Sequence, residues 1–530
     1  MIDVLFSHQS AEAGKIVLAA LRRSVSAIQA RHIARCDVRA GSVAVLAAVD
    51  IPNEDGQLLV EWLRAKSDSN AAKGKLIVFG RLPDALAKLL ECRPCALPDN
   101  FGNAARSAVA LSGHTAASRA DVRYDALSAR LGEGTWVRPF ERFDFTDEWN
   151  NLGFGAVRAD GSIWSVRDPI DVPNHARLAS VYVDGERRFS YAALWDLESA
   201  SVLWFNRPVG PCDSFEWRTV ENFLSGHRGG ELPCQPILSE IPWGFDAAVT
   251  SRLDCDEDVE SARPLWETYR SLGVPFSLAV HTSNLRESVH HALLQELAAA
   301  PHAAILSHTA THAPNWGGSY EAAFEEGRES ARAIEAVTAK PVRYAVSPFH
   351  QSPRYALEAL ADAGYAGCIG GIIRNDPEFL LARAGALAEM QDGFIGHSQQ
   401  CMLHGDCMLA DGDPLSVFKQ AFDFAYETNT FFGYLDHPFS PRYQYGWRTE
   451  EQRIRAHEEL IAYIRRRASR PLFLDEVSAM DFLRAKSLSC VVEADGSYLL
   501  QPSRQAATDL SLAVEYRGER IKMTSDGRLK

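Results

Sequence analysis

The sequence predicts an α/β protein of more than one domain. Residues 1–110 alternate short apolar runs with amphipathic stretches, residues 245–440 repeat that alternation, and the tail after about Pro471 reads as strands around tight turns. A chain of 530 residues exceeds one ordinary core and suggests about two to four domains. The expected layout is an open α/β domain over 1–134 and a strand-rich aromatic segment over 135–236 that completes it. A second α/β unit follows over 237–470, then a helix with a small β appendage over 471–530.

Ile2–Phe6, Val43–Val49 and Leu76–Gly80 read as buried strands, followed by helical stretches such as Gly56–Lys66 and Pro83–Leu90. The phrase GKLIVFGRLPDALAKLL is similar to strand-to-helix turns of glutamine-amidotransferase-like and flavodoxin-like domains. No nucleophilic Cys stands at a Gly-flanked elbow and no G-x-G-x-x-G follows these strands, so this domain supplies no chemistry. WVRPFERFDF, SIWSVRD, ASVYVDG and SVLWFNRPVG read as strands whose aromatic residues could form a sugar-stacking platform but suit packing better. The helix-like WRTVENFLSG and the Pro-rich LPCQPILSEIP lead to a boundary near Pro236. At the other end, FLDEVSAMDFLRAK reads as a helix, and CVVEADGSYLLQ and LAVEYRGERIKM as hairpins.

Composition narrows the function classes. Apolar residues make up 46% and charged residues 23%, as in globular proteins. With 55 basic against 69 acidic residues the net charge is −14, which argues against nucleic acid as a partner. No apolar run approaches the ~18 residues of a membrane span. The N-terminus MIDVLFSHQSAEAGKIV has no basic region leading into an apolar one, and the ten cysteines are scattered; both suit the cytoplasm. Cys92 and Cys95 have C-x-x-C spacing without a second pair, so they read as structural thiols.

Three sites line up in chain order. In AAVTSRLDCDED (247–258) a strand with period two puts Arg252, Asp254 and Asp256 on one side, while Asp258 suits an N-cap for the helix after it. A carboxylate pair at i and i+2 can divide its labour between ligating a metal and taking a proton. In SHTATHAPNW (307–316) four-residue spacing sets His308 and His312 on one helical face, close enough to share a cation, although hydrogen-bonded histidines are the commoner case. In TFFGYLDHPFSPRY (430–443) a strand ends in Asp436-His437, where histidine can act as a general acid near neutrality.

Taken together, strand-Asp-x-Asp, a strand-end H-[ST]-x-x-H, a Pro-aromatic loop and a late L-x-H resemble the polysaccharide deacetylases, the NodB-homology fold grouped as carbohydrate esterase family four. The resemblance covers roughly 245–440. It implies a distorted (β/α) barrel with fewer than eight strands, and metal-dependent removal of N-acetyl, less often O-acetyl, groups from an acetylated carbohydrate. By resemblance Asp254 is the catalytic base and Asp256, His308 and His312 are the ligands of one divalent metal per chain, usually zinc. His437 is the acid that protonates the leaving amine. Two His and one carboxylate leave a zinc position open for water and substrate. Phe349 of SPFHQ matches the residue whose backbone N–H faces the oxyanion.

Two stretches depart from the family pattern. The third motif usually carries an Arg that orients the catalytic Asp; in RYAVSPFHQ, Arg343 stands too far upstream, and Arg252 is the candidate substitute. The tryptophan motif is not visible after DAGYAGCIGG, and GHSQQCMLHGD brings His397 and His404 instead. Substrate contacts are expected from Phe349, His350, His404 and Trp316. Two other readings stay open: an inactive glycan-binding protein on a deacetylase-like barrel, and a glycoside hydrolase using Asp254 with another carboxylate.

Overall fold

The computed structural model describes residues 1–39, 43–67, 73–106, 118–132, 134–140, 157–371, 383–390, 393–494, 497–503, 508–524 and 527–529. Of the aromatic segment, 141–145 of WVRPFERFDF lies outside them. The described part of the first 205 residues builds one nine-stranded sheet. Ala30–Ile33, Ile2–Leu5, Val45–Val49, Gly74–Phe79 and Ala200–Phe205 pair in parallel in that order. Beyond them Glu186–Asp196, Arg177–Val183, Ala120–Tyr124 and Val137–Pro139 continue antiparallel. All five residues of VLAAV in Val45–Val49 are buried, as a central parallel strand covered on both faces requires. The aromatic residues of SIWSVRD and SVLWFNRPVG, Trp164, Trp204 and Phe205, lie in these cores, so packing accounts for them.

The central unit is a closed barrel. Its strands in order are Ala247–Cys255, Phe276–Val280, Ala303–Ser307, Tyr344–Val346, Gly367–Gly371, the run 395–402, and Phe432–Asp436. Each pairs in parallel with the next. The sixth run performs the closure. Its first half, Ile395–Gln399, lies beside Gly367–Gly371, while its second half, Cys401–Met402, lies beside Phe432–Asp436. Between them the Gln400 N–H donates to the Gly433 carbonyl at 3.0 Å. Phe432–Asp436 then returns to the first strand, pairing Val249 with Phe432 and Leu253 with Asp436. Seven strand positions therefore close the ring, fewer than eight, in agreement with the resemblance.

Helices fill the crossovers. Arg263–Leu272 ends at Gly273 in the left-handed region (φ 63°), the common stop for a helix whose next residue must turn back. Asp258 caps the preceding 3₁₀ turn by accepting from the Glu260 N–H. Pro471–Leu474 lies against the start of the first barrel strand, and the helix Glu476–Leu488 follows it. The C-terminal hairpin Ala513–Tyr516/Glu519–Lys522 pairs with Ile237–Leu238, tying the tail to the entry of the barrel.

One glycine on the barrel wall is required by space. A Cβ at Gly367 would stand 2.6 Å from the Ile395 carbonyl oxygen, a backbone atom that cannot yield without breaking the strand pairing. Gly367→Ala should destabilise the fold by about 1–3 kcal/mol, the usual cost of overpacking. Urea unfolding measures it, and an unchanged midpoint would mean that this strand pair has slack.

Candidate active site

Parallel closure sends every strand's C-terminal end to one face. The cleft there holds about 400 Å³ and is lined from successive strand ends. The first strand supplies Asp254, Asp256 and Glu257, the second His281, and the third His308 and His312. The fourth supplies Ser347, Phe349 and His350, the sixth Met402 and the seventh His437, with Tyr443 and Tyr445 beyond it.

Asp256 Oδ1 stands 3.3 Å from His308 Nε2 and 3.3 Å from His312 Nε2, and the two ring nitrogens are 3.1 Å apart. The histidines meet by a route other than the helical face read from their spacing. After the strand Ala303–Ser307 the chain forms a turn, with Thr309 at φ 68° and His312 at φ 56°. The Thr309 hydroxyl accepts the His312 N–H at 2.8 Å. Glu326 receives the N–H groups of Ala310 and Thr311 at 2.9 and 2.8 Å, holding this left-handed backbone in place. His308 Nδ1 donates to the Val346 carbonyl at 3.2 Å, which leaves Nε2 without a proton in the neutral ring.

These residues fit a divalent cation. Among the described residues they are the group of His, Cys, Asp and Glu side chains close enough to hold one, their ligand atoms all within 4.8 Å of one another. The buried Asp256 Oδ1 has no hydrogen-bond partner, a costly state for a carboxylate oxygen unless something else satisfies it. Burial alone would raise the Asp256 pKa, but the nearby imidazoles of His308, His437 and His312 hold it far below the carboxylate range. Burial, with His308 beside it, lowers His312 to about 4, so its ring is neutral and available as a ligand.

Asp254 is clamped from its own strand. Arg252 Nε and Nη2 donate to its two oxygens at 2.6 and 3.1 Å, with both side chains buried. Burial pushes its carboxyl up, yet Arg252 and then His308 bring it down to about 2. Arg343, upstream of SPFHQ, pairs instead with Asp481 at 2.8 Å. Below the clamp lies Glu476, whose pKa burial raises to about 7; it accepts a hydrogen bond from Gln399.

His437 Nε2 lies 3.9 Å from Asp256 Oδ2. Its carbonyl accepts from Arg453 at 3.2 Å, and Asp436 beside it is held by His457 (2.9 Å) and Trp447 (3.2 Å). In the SPFHQ loop Phe349 and His350 adopt φ 51° and 56°. The Phe349 ring is half exposed over His312, at 4.5 Å between centroids, and burial lowers His350 to about 3.

Two residues expected to contact substrate, Trp316 and His404, lie outside the cleft lining. Trp316 is fully buried, with its indole N–H on the Gln351 carbonyl at 3.0 Å, so it packs beneath the loop outside the cleft lining. His404 is likewise buried, its Nδ1 accepting the Asp406 N–H at 3.1 Å. It packs edge-on to Tyr445. His397 sits on the sixth strand with its ring edge-on to Phe431, inside the barrel. Conversely, His281 and Tyr445 line the cleft without having been singled out. His281 Nδ1 donates to the Asp256 carbonyl at 3.1 Å. Its place just past a strand end was the available signal.

Comparison with known proteins agrees with this geometry. Residues 254–368 match the family model described as Polysaccharide deacetylase. That stretch of the chain is thus similar to the polysaccharide deacetylases. Among solved structures, Agd3, titled a novel carbohydrate deacetylase, matches at 10% identity over 100% of this chain and 98% of its own, TM-score 0.38. A family 4 acetyl xylan esterase from Clostridium thermocellum, solved with a cobalt ion, matches at 11% over 44% and 89%, TM-score 0.29. A family pseudoenzyme from Bacillus anthracis matches at 14% over 44% and 66%, TM-score 0.29. No curated protein matches the sequence.

The Arg252 clamp predicts a pH-dependent stability effect. In the wild type the Asp254 contribution is complete above the unfolded value of 3.8 and is lost as pH falls toward the folded value of about 2. Arg252→Met leaves the carboxylate buried without its two-hydrogen-bond partner, so burial weighs more heavily against its charged form. The expected loss at neutral pH is about 3–5 kcal/mol, shrinking as acid protonates the orphaned group. Denaturant unfolding at pH 7 and pH 4 checks both the size and the sign.

Proposed function

We propose that this chain is a metal-dependent hydrolase that removes acetyl groups, N-acetyl in preference to O-acetyl, from a sugar or polysaccharide intermediate. The observation that carries this reading is the unpartnered Asp256 Oδ1 facing both histidine Nε2 atoms, with Asp254 and His437 beside it. Asp256, His308 and His312 would hold the cation, for which zinc is the first candidate from the two imidazoles and one carboxylate. When bound, such a cation polarises the acetyl carbonyl and acidifies a water.

The chain's own residues then divide the work. Asp254, kept ionised by Arg252, takes the proton from the attacking water as its oxygen bonds to the acetyl carbon. The Phe349 backbone N–H, in its left-handed turn at the cleft, is the proposed donor to the oxyanion. His437 gives a proton to the leaving nitrogen as the C–N bond breaks, releasing acetate and the free amine. Phe349 and Tyr443, both about half exposed at the rim, offer apolar faces for a sugar ring.

One ground for the inactive glycan-binding alternative is the altered third motif, the other being the absent secretion signal. Arg252 meets Asp254 with two hydrogen bonds, which supports a working base. The glycoside hydrolase alternative leaves the facing histidines without a role. We further place this activity in the cytoplasm, and fractionation of the native protein tests that placement.

Acetate release from a panel of N- and O-acetylated sugars and oligosaccharides tests the activity. Asp254→Asn should lower the rate by about 10²–10⁴-fold, the usual range for a lost general base. Undiminished release from that variant, or from chelator-stripped protein, would refute the mechanism. Tight glycan binding without acetate from the wild type would select the inactive alternative, and new reducing ends would select the glycosidase.

A further inference from the structure

The two oxygens of Asp256 face different neighbours. Oδ1 is buried without a hydrogen-bond partner and points toward the two histidines. Oδ2 accepts the Tyr445 hydroxyl at 2.8 Å. The same tyrosine lays its ring flat on His437, with centroids 4.0 Å apart and planes 11° from parallel. One side chain thus touches both the candidate metal ligand and the candidate acid, although it lies 189 residues from the first.

Its placement depends on two interlocked loops. Tyr445 has φ 46°, a left-handed conformation that costs an aromatic residue of order 1–3 kcal/mol unless its surroundings impose it. The Tyr445 carbonyl accepts the Gly405 N–H at 3.0 Å. A Cβ on Gly405 would stand 2.1 Å from the Gly446 carbonyl carbon, and one on Gly446 2.3 Å from Asp406 N, so the backbones of 405–406 and 446 touch. Trp447, buried, donates to Asp436 at 3.2 Å, and the buried His404 supports the Tyr445 ring edge-on. These loop contacts hold the left-handed backbone that delivers the phenol.

We infer that Tyr445 is a positioning residue that commits Asp256 to binding a metal through Oδ1 alone while fixing the plane of His437. The inference rests on the metal-centre reading above. A phenol on Oδ2 makes two-oxygen chelation unfavourable, since a cation approaching both oxygens would have to displace the donor. It also turns the carboxylate plane so that Oδ1 shares a point with the two Nε2 atoms. The phenol and the imidazole of His437 share the Oδ2 side, so one hydrogen bond sets the spacing between acid and metal site.

Tyr445→Phe keeps the ring and its stack and removes only the hydroxyl. Its zinc affinity, measured in the full-length protein by competition with a chromophoric chelator, should fall about 10–100-fold, the usual cost of losing a ligand's outer partner. Thermal unfolding of the metal-free variant should match the wild type, which separates positioning from general stability. Gly446→Ala, which displaces the tyrosine by its backbone and leaves every cleft side chain present, should weaken zinc in the same direction. Wild-type affinity in Tyr445→Phe, or a wild type that binds no zinc, would overturn the inference. Unchanged zinc binding by Tyr445→Phe with wild-type acetate release would sink this role alone. Weakened zinc binding in Tyr445→Phe, with no acetate release by the wild type from any substrate, would sink the deacetylase reading and leave this role standing.

Discussion

Everything at the site depends on closure of the barrel through the run 395–402. By pairing with the fifth strand over one half and the seventh over the other, it turns a parallel sheet into a ring. A ring of parallel strands has one C-terminal rim. Asp254, His308 and His437, spread over 183 residues of chain, can meet only because their strand ends share that rim. An open sheet would leave the sixth and seventh strands at opposite edges. The Gln400 hydrogen bonds to Gly433 and Phe431 are therefore as consequential for the site as any residue that lines it.

Closure also confines charge in a small interior. Arg252, Asp254 and Glu476 are buried together, where an unpaired charge would be strongly unfavourable. The structure resolves this by pairing. Arg252 and Asp254 share two hydrogen bonds, and Glu476, whose pKa is raised to about 7 by burial, leans on Gln399. On the rim the same logic leaves Asp256 Oδ1 unsatisfied, while its second oxygen is capped by Tyr445. Such an arrangement is unfavourable for folding alone, and a bound cation would relieve it.

Local patterns made most of the elements legible. Apolar runs mark the strand Val45–Val49 within two residues and the helix Gly56–Lys66 to the residue. The Asp-x-Asp, H-x-x-x-H and L-x-H motifs located the side chains that the barrel brings together. Three features were out of reach of local pattern. The histidine turn was read as helical because spacing four suits a helix, whereas positive φ at Thr309 and His312 reaches the same proximity in a loop. Trp316 and His404 stand beside motif stretches in sequence, but their burial is a tertiary property. Tyr445 was missed because its partner Asp256 is remote in sequence and its position follows from the Gly405–Gly446 contact.

The central claim is that three side chains from the first and third strand ends form one metal centre. Elemental analysis of purified protein, exchanged into metal-free buffer and then loaded with zinc, tests it most directly. The account expects about one zinc per chain, abolished in Asp256→Ala with the fold intact by circular dichroism. Wild-type protein that retains no divalent metal under these conditions, or an Asp256→Ala variant that still retains one equivalent, would contradict it.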